Sequence, residues 1–140
     1  MTLIVVDAST VAAWVFPSQS SKAAEMLLEE ARQHRFVAPH VFPIGVLSLL
    51  LAAERRGGWT VDHTGAALEQ IESLDIQMVR MDAQDELSAV LETARRWRLS
   101  IYDSFYLRLA QTDDATLASR DKAMLFAAQR AGVPVLDVNP

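Results

Sequence analysis

The sequence predicts an α/β fold: a three-layer α/β/α sandwich with a central, mainly parallel sheet. Short apolar strand candidates alternate with longer helical segments along the whole chain, and parallel strands need long crossovers of that kind. The clearest strand candidate is a continuous run rich in β-branched residues rather than an in/out alternation, the mark of a strand covered on both faces.

Leu3–Val6 is that run, broken off by Asp7. Ala23, Ala24, Leu27, Leu28 and Ala31 recur at helical spacing behind cap candidates in the Ser18–Ser21 cluster. Phe36–Ala38 is the next strand candidate, stopped by Pro39. A helix then runs from His40 to about Arg56 with Ile44, Leu47 and Leu51 on its apolar face, and Gly57-Gly58 closes it. Leu68, Ile71 and Leu74 mark another helix, and Gln77–Val79 another strand. Leu87, Val90, Leu91, Ala94 and Trp97 mark the helix after that. Ser100 opens a helix with Tyr102, Phe105, Tyr106 and Leu109 on one side. Ala115–Ala118 reads as a strand, Arg120–Ala131 as a helix and Val133–Leu136 as the last strand.

The 140 residues form a single expected domain, 1–140, with no linker, repeat or low-complexity tract. At 51% hydrophobic and 22% charged residues the chain is too apolar for disorder. It contains no cysteine, which excludes disulfide stapling, thiol catalysis and cysteine-ligated metals and fits a reducing compartment. Nothing at the N-terminus resembles a signal peptide. The longest apolar stretch, Val41–Ala53, is 13 residues and interrupted by Pro43 and Ser48, short of the ~18 that argue for a membrane span. The expectation is a cytoplasmic protein that makes no membrane contact. With 13 Lys plus Arg against 18 Asp plus Glu, the formal charge is −5. No broad basic field is therefore available to bind nucleic acid, and any such contact has to be local or assisted.

In open parallel sheets the site is expected beyond the carboxyl ends of the strands. Asp7 stands there, at the end of the first strand. Asp103 lies in the first turn of the Ser100 helix. From Asp103 the chain runs about nine helical residues at ~1.5 Å each, turns, and returns about four strand residues at ~3.3 Å each. Both legs are about 13 Å, so Asp121 comes back level with Asp103, and position 45 is placed at the same end. Singly, Asp7 can be a helix cap, Asp103 part of a Ser100-x-x-Asp103 capping box and Asp121 an acid favoured by a helix dipole. Together, three carboxylates at one rim repel unless a proton, a cationic side chain or a metal offsets them. An oxygen-only set without Cys or His suits Mg²⁺ or Mn²⁺, which there could activate water and stabilise charge developing on a phosphodiester.

At these residues the sequence resembles a known family. Val5-Val6-Asp7-Ala8-Ser9, Ala38-Pro39, Leu99-Ser100-Ile101-Tyr102-Asp103-Ser104-Phe105-Tyr106 and Leu117-Ala118-Ser119-Arg120-Asp121-Lys122-Ala123-Met124 resemble, in order and across essentially the whole chain, the PIN-domain ribonucleases, most closely the virulence-associated protein C (VapC) toxins. The resemblance implies a PIN-like fold, Mg²⁺- or Mn²⁺-dependent endoribonuclease activity, metal-binding and catalytic acids at Asp7, Asp103 and Asp121, and a homodimer. It also implies a cognate antitoxin that inhibits the toxin and supplies the operator-binding part, so no direct DNA binding is expected of this chain alone.

One departure stands out. The family usually carries a Glu early in the long central helix, whereas this chain reads Phe42-Pro43-Ile44-Gly45-Val46-Leu47. Glu54, nine residues on, lies about 180° round the helix and ~13 Å along it, and is no substitute. Three readings follow: a three-acid site with weaker metal affinity, an impaired enzyme that still binds its antitoxin, or a Gly introduced to disarm a toxin. On the sequence, Gly45→Glu is expected to raise metal affinity and RNA cleavage.

The competing class is a catalytically inactive PIN-fold binding module that keeps its antitoxin and dimer surfaces. A phospho-acceptor receiver domain is disfavoured because Ala8 and Ser9, not an acid, follow Asp7. Ser9 and Ser119 are expected to cap helices locally or to orient a water or phosphate. Arg120 and Lys122 are the candidate RNA-phosphate contacts. Arg95, Arg96 and Arg98 complement a helix dipole, while Trp14, Trp97 and the Tyr102/Phe105/Tyr106 set are expected in the core or a subunit interface. His34, His40 and His63 form no metal-ligand pattern.

Overall fold

A computed structural model describes residues 2–81 and 83–140, apart from the side chains of 83–85. Five parallel strands make one sheet: β1 (Thr2–Val6), β2 (His34–Pro39), β3 (Gln77–Val79), β4 (Thr116–Ser119) and β5 (Val135–Asp137), in the order β3-β2-β1-β4-β5. The chain moves outward from β1 through β2 to β3, then crosses back to β4 and on to β5. The switch point of the topology therefore lies between β1 and β4, where a crevice is expected at the carboxyl ends of the strands.

Seven α-helices among the described residues flank the sheet: α1 (Ala8–Val15), α2 (Lys22–Glu29), α3 (Phe42–Arg56), α4 (Val61–Ser73), α5 (Ala83–Trp97), α6 (Ile101–Thr112) and α7 (Lys122–Arg130). Helix α1 packs on α2, α3 and α4, and α6 packs on α5 and α7, as right-handed crossovers on the two sides of the switch point require. The interior is closed by Ile4, Val5 and Val6 of β1, Leu117 and Ala118 of β4, and Tyr106, Leu107, Leu109 and Ala110 of α6, all buried. Trp14 and Trp97 pack against this core as the sequence implied, and the Trp14 indole N–H donates to the Ala24 carbonyl at 2.9 Å.

Two features differ from the sequence reading. Helix α1 directly follows β1, and Ala8, Thr10, Val11, Ala12 and Ala13 are all buried, so no polar face gives the segment a period. In α3 the buried side is Phe42, Val46, Leu50 and Ala53, while Ile44, Leu47 and Leu51 are 64%, 53% and 44% exposed. The predicted apolar face of that helix is thus its outer one. Gly57 ends α3 with φ +90°, a backbone region that glycine enters without steric cost.

Candidate functional site

Pairing of Val6 with Ala118 in adjacent parallel strands sets Asp7 and Ser119 side by side at the switch point. Asp7 is the N-cap of α1, and its carboxylate is held on several sides. Oδ1 accepts from the Ser9 hydroxyl at 2.7 Å, the Thr10 N–H at 2.9 Å and the Thr10 hydroxyl at 3.1 Å; Oδ2 accepts from the Ser119 hydroxyl at 2.5 Å. The two serines continue the network. Ser119 Oγ accepts the Asp121 N–H at 2.9 Å, and Ser9 Oγ accepts the Arg120 N–H at 2.8 Å. Ser9 and Ser119 therefore lock the loop after β4 onto the carboxylate after β1, a role that local capping does not describe.

Asp121 is the N-cap of α7, its Oδ1 accepting the Met124 N–H at 3.1 Å. Asp103 lies in the first turn of α6, whose N-cap Ser100 accepts the Asp103 N–H at 3.0 Å. The three acids lie near enough for the charges of Asp121 and Asp7 to act on Asp103. Burial first, then Asp121 and Asp7, push the Asp103 carboxyl from 3.8 up to about 6. Burial likewise raises Asp7, against the hydrogen bonds from Ser119, Ser9 and Thr10 that hold it down. Among the described residues the only ion pairs are His34–Glu30 and His40–Glu86, so no cationic side chain neutralises these acids.

As they stand, no three His, Asp or Glu side chains among the described residues are gathered tightly enough to cage an ion. The donor set still fits a hard dication: the charges of Asp121 and Asp7 act on Asp103, Asp7 is oriented by four hydrogen bonds, and all the side-chain donors are oxygen.

Of the other sequence candidates, Lys122 is exposed at the start of α7, and Arg120 spends one guanidinium N–H on Gln19 Oε1 at 2.6 Å while its Nε lacks a partner. Glu54 accepts from the Thr64 hydroxyl at 2.7 Å on another part of α3 and takes no part in the site.

Position 45 carries a different surprise. A Cβ built on Gly45 would lie 1.9 Å from the Tyr102 hydroxyl oxygen, 2.8 Å from Tyr102 Cζ and 3.1 Å from Ala8 Cβ. A side chain placed at position 45 therefore requires the Tyr102 hydroxyl to shift. Sequence reasoning had placed Tyr102 in the core or an interface; the only available signal was its position beside Asp103.

A parallel sheet with carboxylates from the ends of β1 and β4 and the start of α6 defines an α/β protein with acidic side chains at its switch point. Residues 4–130 match the PIN domain family model, and the chain belongs to that family. Solved structures share the fold. PAE2754 from Pyrobaculum aerophilum is 22% identical with a TM-score of 0.70, covering 96% of this chain and 84% of that one. VapBC2 from Rickettsia felis, bound to a DNA fragment from their promoter, is 11% identical with a TM-score of 0.65 and coverages of 97% and 98%. A toxin-antitoxin complex from Klebsiella pneumoniae is 15% identical with a TM-score of 0.56 and coverages of 84% and 86%. No curated protein matches the chain significantly.

Proposed function

We propose that this protein is a Mg²⁺- or Mn²⁺-dependent endoribonuclease, the toxin of a bacterial toxin–antitoxin pair, forming one domain over residues 1–140 and acting in the cytoplasm. The observation that supports the reading is that the charges of Asp7 and Asp121 act on Asp103 near the switch point, with no ion-paired cation among the described residues to offset them. PIN domains are generally nucleases that use divalent metals, and the complexes from Rickettsia felis and Klebsiella pneumoniae share the fold.

Asp7, Asp103 and Asp121 are the residues that would hold the metal. When bound, a hard dication supplies Lewis acidity, activating water and offsetting charge that develops on a phosphodiester. Asp7 would be the fixed ligand, oriented by the Ser9, Thr10 and Ser119 donors. Asp103, ionised above about 6, would be a second ligand, with Asp121 facing the site from the N-terminus of α7. Lys122 and the Arg120 guanidinium flank the acids and contact RNA phosphates, compensating locally for a chain of charge −5. No described helix is long and apolar enough to cross a membrane. The exposed Ile44, Leu47 and Leu51 stripe of α3 supports a homodimer, and an antitoxin is the second protein partner.

The test is cleavage of total RNA with Mn²⁺, with EDTA and with Asp7→Asn, which keeps an acceptor for the α1 cap. Cleavage that requires Mn²⁺ and Asp7 is the expected result; cleavage that survives EDTA or Asp7→Asn overturns the mechanism. A second reading, a catalytically inactive binding module, is favoured by the absence of both a carboxylate at Gly45 and a preformed ion cage among the described residues. No cleavage under any condition, with an antitoxin complex still formed, selects it.

A further inference from the structure

Tyr102 lies on the first turn of α6, next to Asp103 and half-buried. Its ring packs at 5.3 Å from that of Tyr106, and the two hydroxyls are 2.8 Å apart. Tyr106 is 0% exposed, so its hydroxyl hydrogen needs a partner inside the protein. Donation from Tyr106 to Tyr102 meets that need. It leaves the Tyr102 O–H free to turn toward Asp7 and Asp103, whose charges reach it. The Gly45 backbone faces the same oxygen.

Helix α3 passes so close to this hydroxyl that even the first side-chain carbon at position 45 has no room while Tyr102 stays, since 1.9 Å is far inside any nonbonded contact. The space is taken by a neutral phenol, and Gly45 is the residue that leaves it free. The helix gives up about 1 kcal/mol of propensity relative to Ala at such a position.

We propose that the Tyr102 hydroxyl takes the fourth corner of the acidic cluster and that Gly45 is the residue that admits it, so that this site is built from three carboxylates and a phenol. A carboxylate at position 45 then becomes a ligand only when Tyr102 is removed with it. The ligand part of this inference rests on the metal-dependent reading above, whereas the steric part does not.

The experiment uses the full chain, with Mn²⁺ affinity read by electron paramagnetic resonance and stability by thermal melting without metal. The variants are Gly45→Ala, Gly45→Glu, Tyr102→Ala, and each Gly45 change combined with Tyr102→Ala. Gly45→Ala is expected to lower Tm in the presence of Tyr102 and to raise or leave it unchanged in the Tyr102→Ala background. Gly45→Glu alone should leave Mn²⁺ affinity unimproved, and Gly45→Glu with Tyr102→Ala should bind Mn²⁺ at least tenfold more tightly than Tyr102→Ala. Equal Tm changes for Gly45→Ala in both backgrounds overturn the steric claim. A tenfold gain from Gly45→Glu alone, or none in the double variant, overturns the fourth corner. Should no variant bind Mn²⁺, Asp7→Asn included as control, the metal reading fails while the Tm cycle still decides whether positions 45 and 102 share one space.

Discussion

Replacing Asp103 with Asn should stabilise the metal-free protein at neutral pH and weaken its response to metal. The Asp103 carboxyl is raised from 3.8 to about 6 by burial and by its two acidic neighbours. The folded chain therefore holds this proton more tightly than the unfolded one, and stability falls as pH rises from about 4 through 6. Below the lower value the contribution is fully present; above the upper one it is gone. At about 1.36 kcal/mol per pKa unit the rise corresponds to about 3 kcal/mol. The side chain is partly exposed, so solvent screening reduces this to about 1–2 kcal/mol. Asn cannot ionise, so Asp103→Asn should exceed the wild type by that amount at pH 7.5 and match it more closely at pH 4. Asp7, raised in the same direction, titrates in both proteins and largely cancels in the comparison. Urea unfolding with EDTA at the two pH values measures the difference. Adding Mn²⁺ at pH 7.5 should stabilise the wild type by mass action and the variant much less. Parallel stability–pH curves for the two proteins would refute the account, because they would show that Asp103 does not carry the repulsion.

Three further outcomes follow from other parts of the molecule. Ser119→Ala removes the donor to Asp7 Oδ2 and the acceptor of the Asp121 N–H; about 2 kcal/mol should be lost in urea unfolding, and a loss under ~0.5 would mean that water replaces both contacts. Arg98 follows α5 with φ +54°, a left-handed conformation that costs a side-chain-bearing residue about 1 kcal/mol, so Arg98→Gly should raise Tm by a few degrees. Leu47, 53% exposed on the outer face of α3, should be dispensable for folding but not for self-association. Leu47→Asp is expected to sediment as a monomer with nearly unchanged Tm, and an intact dimer would move the interface elsewhere.

The parallel sheet was legible because β1 and β4 are short apolar strands at the protein's centre, and because each acid stands where a strand ends or a helix begins. Leg-length arithmetic brought Asp121 level with Asp103, and the charge of Asp121 acts on that carboxyl. Other parts were hidden for definite reasons. Helix α1 is buried on nearly all sides, so its sequence has no amphipathic period. On α3 both Ile44/Leu47/Leu51 and Phe42/Val46/Leu50 run at helical spacing, and only the sheet decides which stripe is inside. The bonds of Ser9 and Ser119 to Asp7 depend on the Val6–Ala118 register. That pairing joins residues more than a hundred positions apart and leaves no local trace. Gly45 looked like a deletion in a motif because the sequence does not reveal that a tyrosine from another helix points at it.

The three acids are held in unequal ways, and the difference bears on how the site works. Asp7 is buried and accepts four hydrogen bonds from backbone and hydroxyl donors, so its orientation is set before any ligand arrives. Asp103 sits in the first turn of α6 and Asp121 at the cap of α7, and burial together with the charges of Asp121 and Asp7 raises the Asp103 carboxyl. A dication and the Asp103 proton compete for the same carboxylate, so metal affinity should fall as pH drops through about 6, and binding should release a proton in that range. Calorimetric titrations of Mn²⁺ at pH 6 in buffers of different ionisation enthalpy would count the proton. A buffer-independent heat would mean that Asp103 is already ionised in this range, and that its carboxyl is not raised by its acidic neighbours.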